Sequence, residues 1–147
     1  MANTYSQIYI HIVFAVMGRQ NLINANHKEE LHRFITGIVK NNGQKLIEIN
    51  VMPDHTHIFI GLQPDICISD LVRDIKSNSS RLINDKKWIS GKFNWQYGFG
   101  AFSYSHSQID NVVKYINNQE IHHKKKTFKE ECIEMLEKFY VKYENKY

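Results

Sequence analysis

Proline is nearly absent from this chain. Pro53 and Pro64 are the only two in 147 residues, and neither lies in a Pro-, Gly- or Ser-rich stretch that could serve as a linker. Cysteine is equally scarce. Cys67 and Cys132 are far apart and in no metal-ligand spacing, which argues against a cysteine-built zinc site and against a disulfide framework. A reduced, cytoplasmic setting is the expectation. Hydrophobic runs stop short of the ~18 residues that a membrane span needs. No basic segment leads into an apolar one at the N-terminus, so neither a membrane anchor nor a secretory signal is expected. With no internal repeat and no low-complexity block, residues 1–147 read as one continuous domain.

Aromatic residues, by contrast, are plentiful: eight Tyr, eight Phe and two Trp. They suit either a core or a surface on which bases stack. Nineteen Lys and Arg against fifteen Asp and Glu leave a net charge of +4. That balance favours a polyanionic partner without requiring one.

The hydrophobic pattern predicts the elements. Tyr5 to Val16 alternates as a strand, with Ile8, Ile10, Ile12 and Phe14 on one face and Tyr9, His11 and Val13 on the other. His27 to Asn42 has helical spacing through Leu31, Phe34, Ile35 and Ile38, and Asn41-Asn42-Gly43 supplies a stop. Lys45 to Met52 and His55 to Leu62 form a hairpin about Pro53-Asp54, with Ile47, Ile49 and Val51 expected on one face. A second helix runs from Ser69, its expected cap, to Asn84. A short strand from Ala101 to Ser105 and a third helix from Gln108 to His122 follow, and Thr127-Phe128-Lys129-Glu130 has the form of a capping box opening a last helix. The order β-α-β-β-α-β is the ferredoxin-like (RRM-like) α+β pattern: an antiparallel sheet covered by helices on one face and open on the other, with extra C-terminal helices.

Two stretches carry chemistry. In Met52-Pro53-Asp54-His55-Thr56-His57, the period of a strand points His55 and His57 to the same side and Thr56 to the other. Two imidazoles on one face can chelate a metal, or they can be a polar pair on a solvated surface. On the third helix Tyr115 and Gln119 are four residues apart and share a face at the margin of the stripe Ile109, Val112, Val113 and Ile116. Tyr115 is either an amphipathic residue packed at a core boundary or a nucleophile. Joined, His55, His57 and Gln119 can hold a divalent ion that activates a phosphodiester for attack by the Tyr115 hydroxyl. An ordinary phenol with a pKa of ~10 needs help from the ion or a base.

The opening Ile-His-Ile-Val-Phe strand around His11, the Met52–His57 run, Trp95 to Ser103, Tyr115-Ile116-Asn117-Asn118-Gln119, His122-His123-Lys124 and Phe128-Lys129-Glu130-Glu131 occur in an order that resembles the single-tyrosine transposases of the HUH endonuclease superfamily. The family motif is His, a hydrophobic residue, His; Thr56 stands in the middle here. The resemblance implies a transposase that cuts single-stranded DNA without ATP. Tyr115 would form a 5′-phosphotyrosine and release a 3′-hydroxyl, and a second 3′-hydroxyl would later rejoin the DNA. It implies magnesium or manganese as cofactor, although two imidazoles equally suit zinc or nickel. It also implies recognition of DNA hairpins at element ends and a homodimer whose active sites are shared between subunits.

Candidate DNA contacts are Arg73, Lys76 and Arg81 on the second helix, followed by Lys86 and Lys87, and the basic run His122, His123, Lys124 and Lys125. His11 carries no assigned role. The alternative is a non-catalytic hairpin-binding protein, either a domesticated relative or an RRM-like module; no RNP1-like pattern on the third strand supports the latter.

Overall fold

The computed structural model describes residues 4–143. Strands β1 (Tyr9–Ala15), β2 (Lys45–Val51), β3 (His55–Gly61) and β4 (Gly100–Tyr104) form one antiparallel sheet in the order β2-β3-β1-β4. Helices α1 (Lys28–Asn41) and α2 (Ile68–Asp85) make the two crossovers. This is the expected α+β, ferredoxin-like arrangement. The pattern that produced it is plain in β1: Ile10, Ile12 and Phe14 alternate with His11 and Val13, so each set faces one side.

The first side is an ordinary core. Ile12, Ile58 and Ile60 are buried against Leu31, Ile35 and Val39 of α1 and Leu71, Ile75 and Ile83 of α2. Ile47 does not join it. A bulge between Leu46 and Glu48 shifts the register of β2, so Leu46 packs toward this core while Ile47 packs with Phe59 on the opposite side. One extra residue in a strand reverses the faces of everything before it.

The second side is covered, not open. Val13, Phe59 and Phe102 would leave an apolar surface, and α3 (Ile109–Asn117) and α5 (Phe128–Lys138) close over it with Val112 and Ile116, and with Phe128 and Met135. The sheet is therefore the middle of three layers. The Asn50 side chain on β2 donates to the Ile116 carbonyl at 2.7 Å and pins the end of α3 to the sheet.

The predicted helix from Gln108 to His122 is divided. A 3-10 turn (His106–Gln108) leads into α3, Asn118 leaves helical geometry, and α4 (Gln119–His122) is a single further turn. The second helix starts one residue earlier than expected, so Ser69 lies in its first turn; Cys67 occupies the cap position without a side-chain cap. The capping box is as read: Glu130 N–H donates to Thr127 Oγ1 at 3.2 Å, and Thr127 N–H to Glu130 Oε1 at 3.3 Å. It fixes where α5 begins, and hence which α5 side chains face the sheet.

Lys76 is not free on α2. Its ammonium donates to the carbonyls of Gln96 (2.8 Å) and Gly98 and lies over the Phe14 ring. Burial pulls its pKa down to about 8. Gly98 has φ +83°, a left-handed conformation that places its carbonyl there without steric penalty. Replacing Lys76 by Met is expected to cost about 1–2 kcal/mol, because two carbonyls lose their donor, and to loosen the 96–99 loop. Urea unfolding and proteolysis at that loop check this.

Candidate active site

The centre is built on the second side of the sheet, between two apolar patches. His55 and His57 are on the same face of β3, as read, and both are fully buried. Each has a partner on its Nδ1. His55 Nδ1 lies 2.6 Å from Asp54 Oδ1, and His57 Nδ1 lies 2.8 Å from His11 Nε2. A carboxylate can only accept, so Asp54 sets the proton of His55 on Nδ1 and leaves the Nε2 lone pair free. With its own proton on Nδ1, His11 can do the same for His57, its Nε2 accepting from His57 Nδ1 and leaving the His57 Nε2 lone pair free. His11, unassigned from sequence, thereby orients His57. The His55 ring is also stacked on Phe128, with centroids 4.0 Å apart.

The Nε2 atoms converge on a residue of α5. Glu131 Oε1 is 3.2 Å from His57 Nε2, 3.3 Å from His123 Nε2 and 3.8 Å from His55 Nε2. Gln119 Oε1 is 2.8 Å from His123 Nε2 and 3.4 Å from His55 Nε2. The other Glu131 oxygen, Oε2, accepts from the Tyr115 hydroxyl and is 3.2 Å from His122 Nε2. One ligand atom each from His55, His57, His123 and Glu131 lies within 4.8 Å of the others. His57 Nε2 and Glu131 Oε1 are buried and have no hydrogen-bond partner. Both atoms aim a lone pair into a ring of imidazoles, which is what a cation site looks like from the protein side. The residues fit a divalent ion, with the oxygens of Glu131 and Gln119 adding harder donors to the imidazoles.

Electrostatics follow from this packing. Burial, helped by neighbouring His57, pushes His11 well below the ordinary imidazole value of 6.5. Burial likewise pushes His57 down against the pull of Glu131. His123 moves up: burial disfavours its charge, but the adjacent Glu131 carboxylate outweighs that. Burial also works against the Glu131 carboxylate, yet the neighbouring imidazoles of His123 and His57 and the hydrogen bond from the Tyr115 hydroxyl hold it well below the ordinary range. Burial, then the charge of Glu131, pushes the Tyr115 phenol far up. Tyr115 is thus a neutral phenol at rest.

These shifts set the acid sensitivity of the metal-free protein. His11 and His57 are neutral when folded but take protons when unfolded below about 6.5, so their contribution is present above that pH and lost as pH falls. The contribution of Glu131 is present above about 4.5 and lost below it. His123 acts in the opposite sense, its contribution being present below 6.5 and lost as pH rises through its folded value. The expected result is a stability that declines from pH 7 to pH 4 in EDTA. Urea midpoints at three pH values check it, and a flat profile would contradict it.

Of the residues read from sequence, Tyr115, His55, His57 and Gln119 come together. The Asn118 break turns Gln119 fully inward, not to a helix margin. His122 and His123 face Glu131, whereas Lys124 and Lys125 are exposed. Arg73 and Arg81 are exposed on α2, across the sheet from the centre, with Arg73 paired to Asp70 and the neighbouring Lys86 to Glu30. Glu131 and the inward role of His123 were not read. A signal for Glu131 existed: it falls in the α5 stripe Phe128, Cys132, Met135, where a carboxylate must find partners. A cleft of about 260 Å³ opens onto Tyr115, His122 and Glu131.

A ferredoxin-like sheet with a His-x-His pair beneath a helix-borne tyrosine defines the single-tyrosine HUH class. Residues 4–119 match the family described as "Transposase IS200 like", and the chain belongs to that family of transposases. It is 26% identical over 120 residues to the ISDra2 transposase TnpA of Deinococcus radiodurans, covering 77% of this chain and 84% of that protein. Two solved structures share the fold. One, a Deinococcus radiodurans R1 protein described as a transposase, superposes with a TM-score of 0.64 at 23% identity over 81% of this chain and 95% of the other. The second, a REP-associated tyrosine transposase bound to a REP hairpin, gives 0.63 at 17% identity over 84% and 73%. No helix among the described residues is long and apolar enough to cross a membrane.

Proposed function

We propose that this transposase cleaves and rejoins single-stranded DNA through a covalent 5′-phosphotyrosine at Tyr115, in a reaction dependent on a divalent ion. The observation that carries the reading is the convergence of the Tyr115 hydroxyl and the His55 and His57 lone pairs on one small buried volume. His55, His57 and Gln119 would hold the ion, with His123 and Glu131 in reach. A bound magnesium or manganese ion supplies Lewis-acid polarisation of the scissile phosphate. Tyr115 Oη attacks phosphorus and gives up its proton, the P–O3′ bond breaks, and the leaving oxygen takes up one proton to become a 3′-hydroxyl, so the step is proton-neutral overall. Attack of a 3′-hydroxyl on the phosphotyrosine reverses these bonds and frees the phenol. The phosphodiester count is conserved, so no ATP is needed.

Substrate identity rests on likeness. The REP-associated neighbour is bound to a hairpin, and a basic chain with exposed Lys124, Lys125, Arg73, Arg81 and Tyr97 suits a hairpin of single-stranded DNA. A homodimer with shared sites is the arrangement that the resemblance implies. The geometry favours action within one chain, since Tyr115 contacts the centre of its own sheet. Mixing Tyr115→Phe with His57→Ala chains separates the two. Action in cis leaves the mixture without a protein–DNA adduct, while exchange of tyrosine helices restores about a quarter of the sites if chains pair at random.

A further inference from the structure

Glu131 lies beyond the segment matched by the family and belongs to no motif of a His pair, a glutamine and a tyrosine. It nevertheless lies against His55, His57, His122, His123 and Tyr115 at once. It is 2% exposed, on the buried stripe of α5, and its two oxygens do different things. Oε1 looks into the ring of His55, His57 and His123 and has no hydrogen-bond partner. Oε2 accepts from Tyr115. We propose that Glu131 is a positioning residue that couples the ion to the nucleophile, with Oε1 as a protein ligand and Oε2 holding the phenol beside it.

The chemistry supports the division. Among neutral imidazoles and a carboxamide, Glu131 contributes a formal negative charge and a hard oxygen, which a magnesium- or manganese-sized cation prefers. A carboxylate that is both ligand and hydrogen-bond acceptor fixes the phenol relative to the ion at no further entropic cost when DNA arrives. The arrangement makes α5 part of the active site.

The inference rests on the metal-dependent reading above, and the test separates the two. Mn²⁺ binding is measured by calorimetry for the full chain and for Glu131→Gln, Tyr115→Phe, the double variant and His57→Ala, with circular dichroism as the folding control. The expected result is a loss of about tenfold or more in Glu131→Gln. Tyr115→Phe should bind about two- to fivefold tighter, because the carboxylate no longer shares its electron density with a donor, and that gain should vanish in the Glu131→Gln background. Wild type that binds no Mn²⁺ would sink the metal reading itself. Binding abolished by His57→Ala but unchanged in Glu131→Gln would overturn the role of Glu131 alone. So would a rise in adduct formation in Glu131→Gln, which would mark the carboxylate as an occupant of the phosphate's place. Should Glu131→Gln not fold, Mg²⁺ titration of 3-fluorotyrosine-labelled wild type decides: the ¹⁹F signal assigned to Tyr115 by its loss in Tyr115→Phe should move with the binding isotherm. A signal that does not move overturns the coupling.

Discussion

Tyr115→Phe is expected to eliminate the covalent protein–DNA adduct. The adduct is a phosphoester to the phenol oxygen, and no substitute oxygen lies on α3 at that position, so the expected change is from adduct to none. Structure should survive. The ring packs against apolar residues on both sides, and Phe retains those contacts. The hydroxyl donates to a carboxylate that keeps His57, His122 and His123 as neighbours, so the stability cost is about 1 kcal/mol. The measurement is an SDS-resistant band on incubation with a hairpin library of single-stranded DNA and Mg²⁺ or Mn²⁺. A band that persists in Tyr115→Phe would show that another residue is the nucleophile.

The second large effect is expected from His57→Ala. His57 is fully buried, and its two ring nitrogens face His11 and Glu131. Truncation removes one of the proposed ligand atoms and leaves His11 and Glu131 facing a void, so the expected loss is both functional and structural. Leaving a buried polar group without its partner typically costs about 1–3 kcal/mol. In wild type a hundredfold excess of ion over Kd adds about 2.7 kcal/mol, so Mn²⁺ should raise the unfolding midpoint clearly. In His57→Ala the midpoint should start lower and not respond. His55→Ala, which keeps the His11–His57 contact, should start higher than His57→Ala yet also respond weakly to Mn²⁺ and give little adduct. A full Mn²⁺ response in both variants would remove the histidine pair from the metal site.

Much of the fold was legible because local rules and tertiary packing agree here. The alternation of Ile10, Ile12 and Phe14, the turn at Pro53-Asp54 and the capping box at Thr127 each have one low-energy outcome, and the structure adopts it. Where reading failed, a local pattern was ambiguous. Bulges leave no periodic trace, so Ile47 was placed on the wrong face. A helix broken at Asn118 has almost the same spacing as a continuous one. The open face was inferred from a two-layer pattern, although α3 and α5 each have an apolar stripe that needed a surface to cover.

Legible along the chain were the ferredoxin-like order of elements, the shared face of His55 and His57, the placement of Tyr115 four residues before Gln119, and the family. All of these follow from short-range periodicity and from motifs that can be read along the chain. That His11 braces His57, that His123 turns inward and that Glu131 bridges the histidines and the tyrosine emerged from packing alone. The reason is distance along the chain. The Glu131 carboxylate meets His57 across 74 residues of sequence, and nothing in the spacing of either residue encodes that meeting. It is set when α5 lays its stripe on the sheet, where a buried carboxylate is stable only among the donors it finds there.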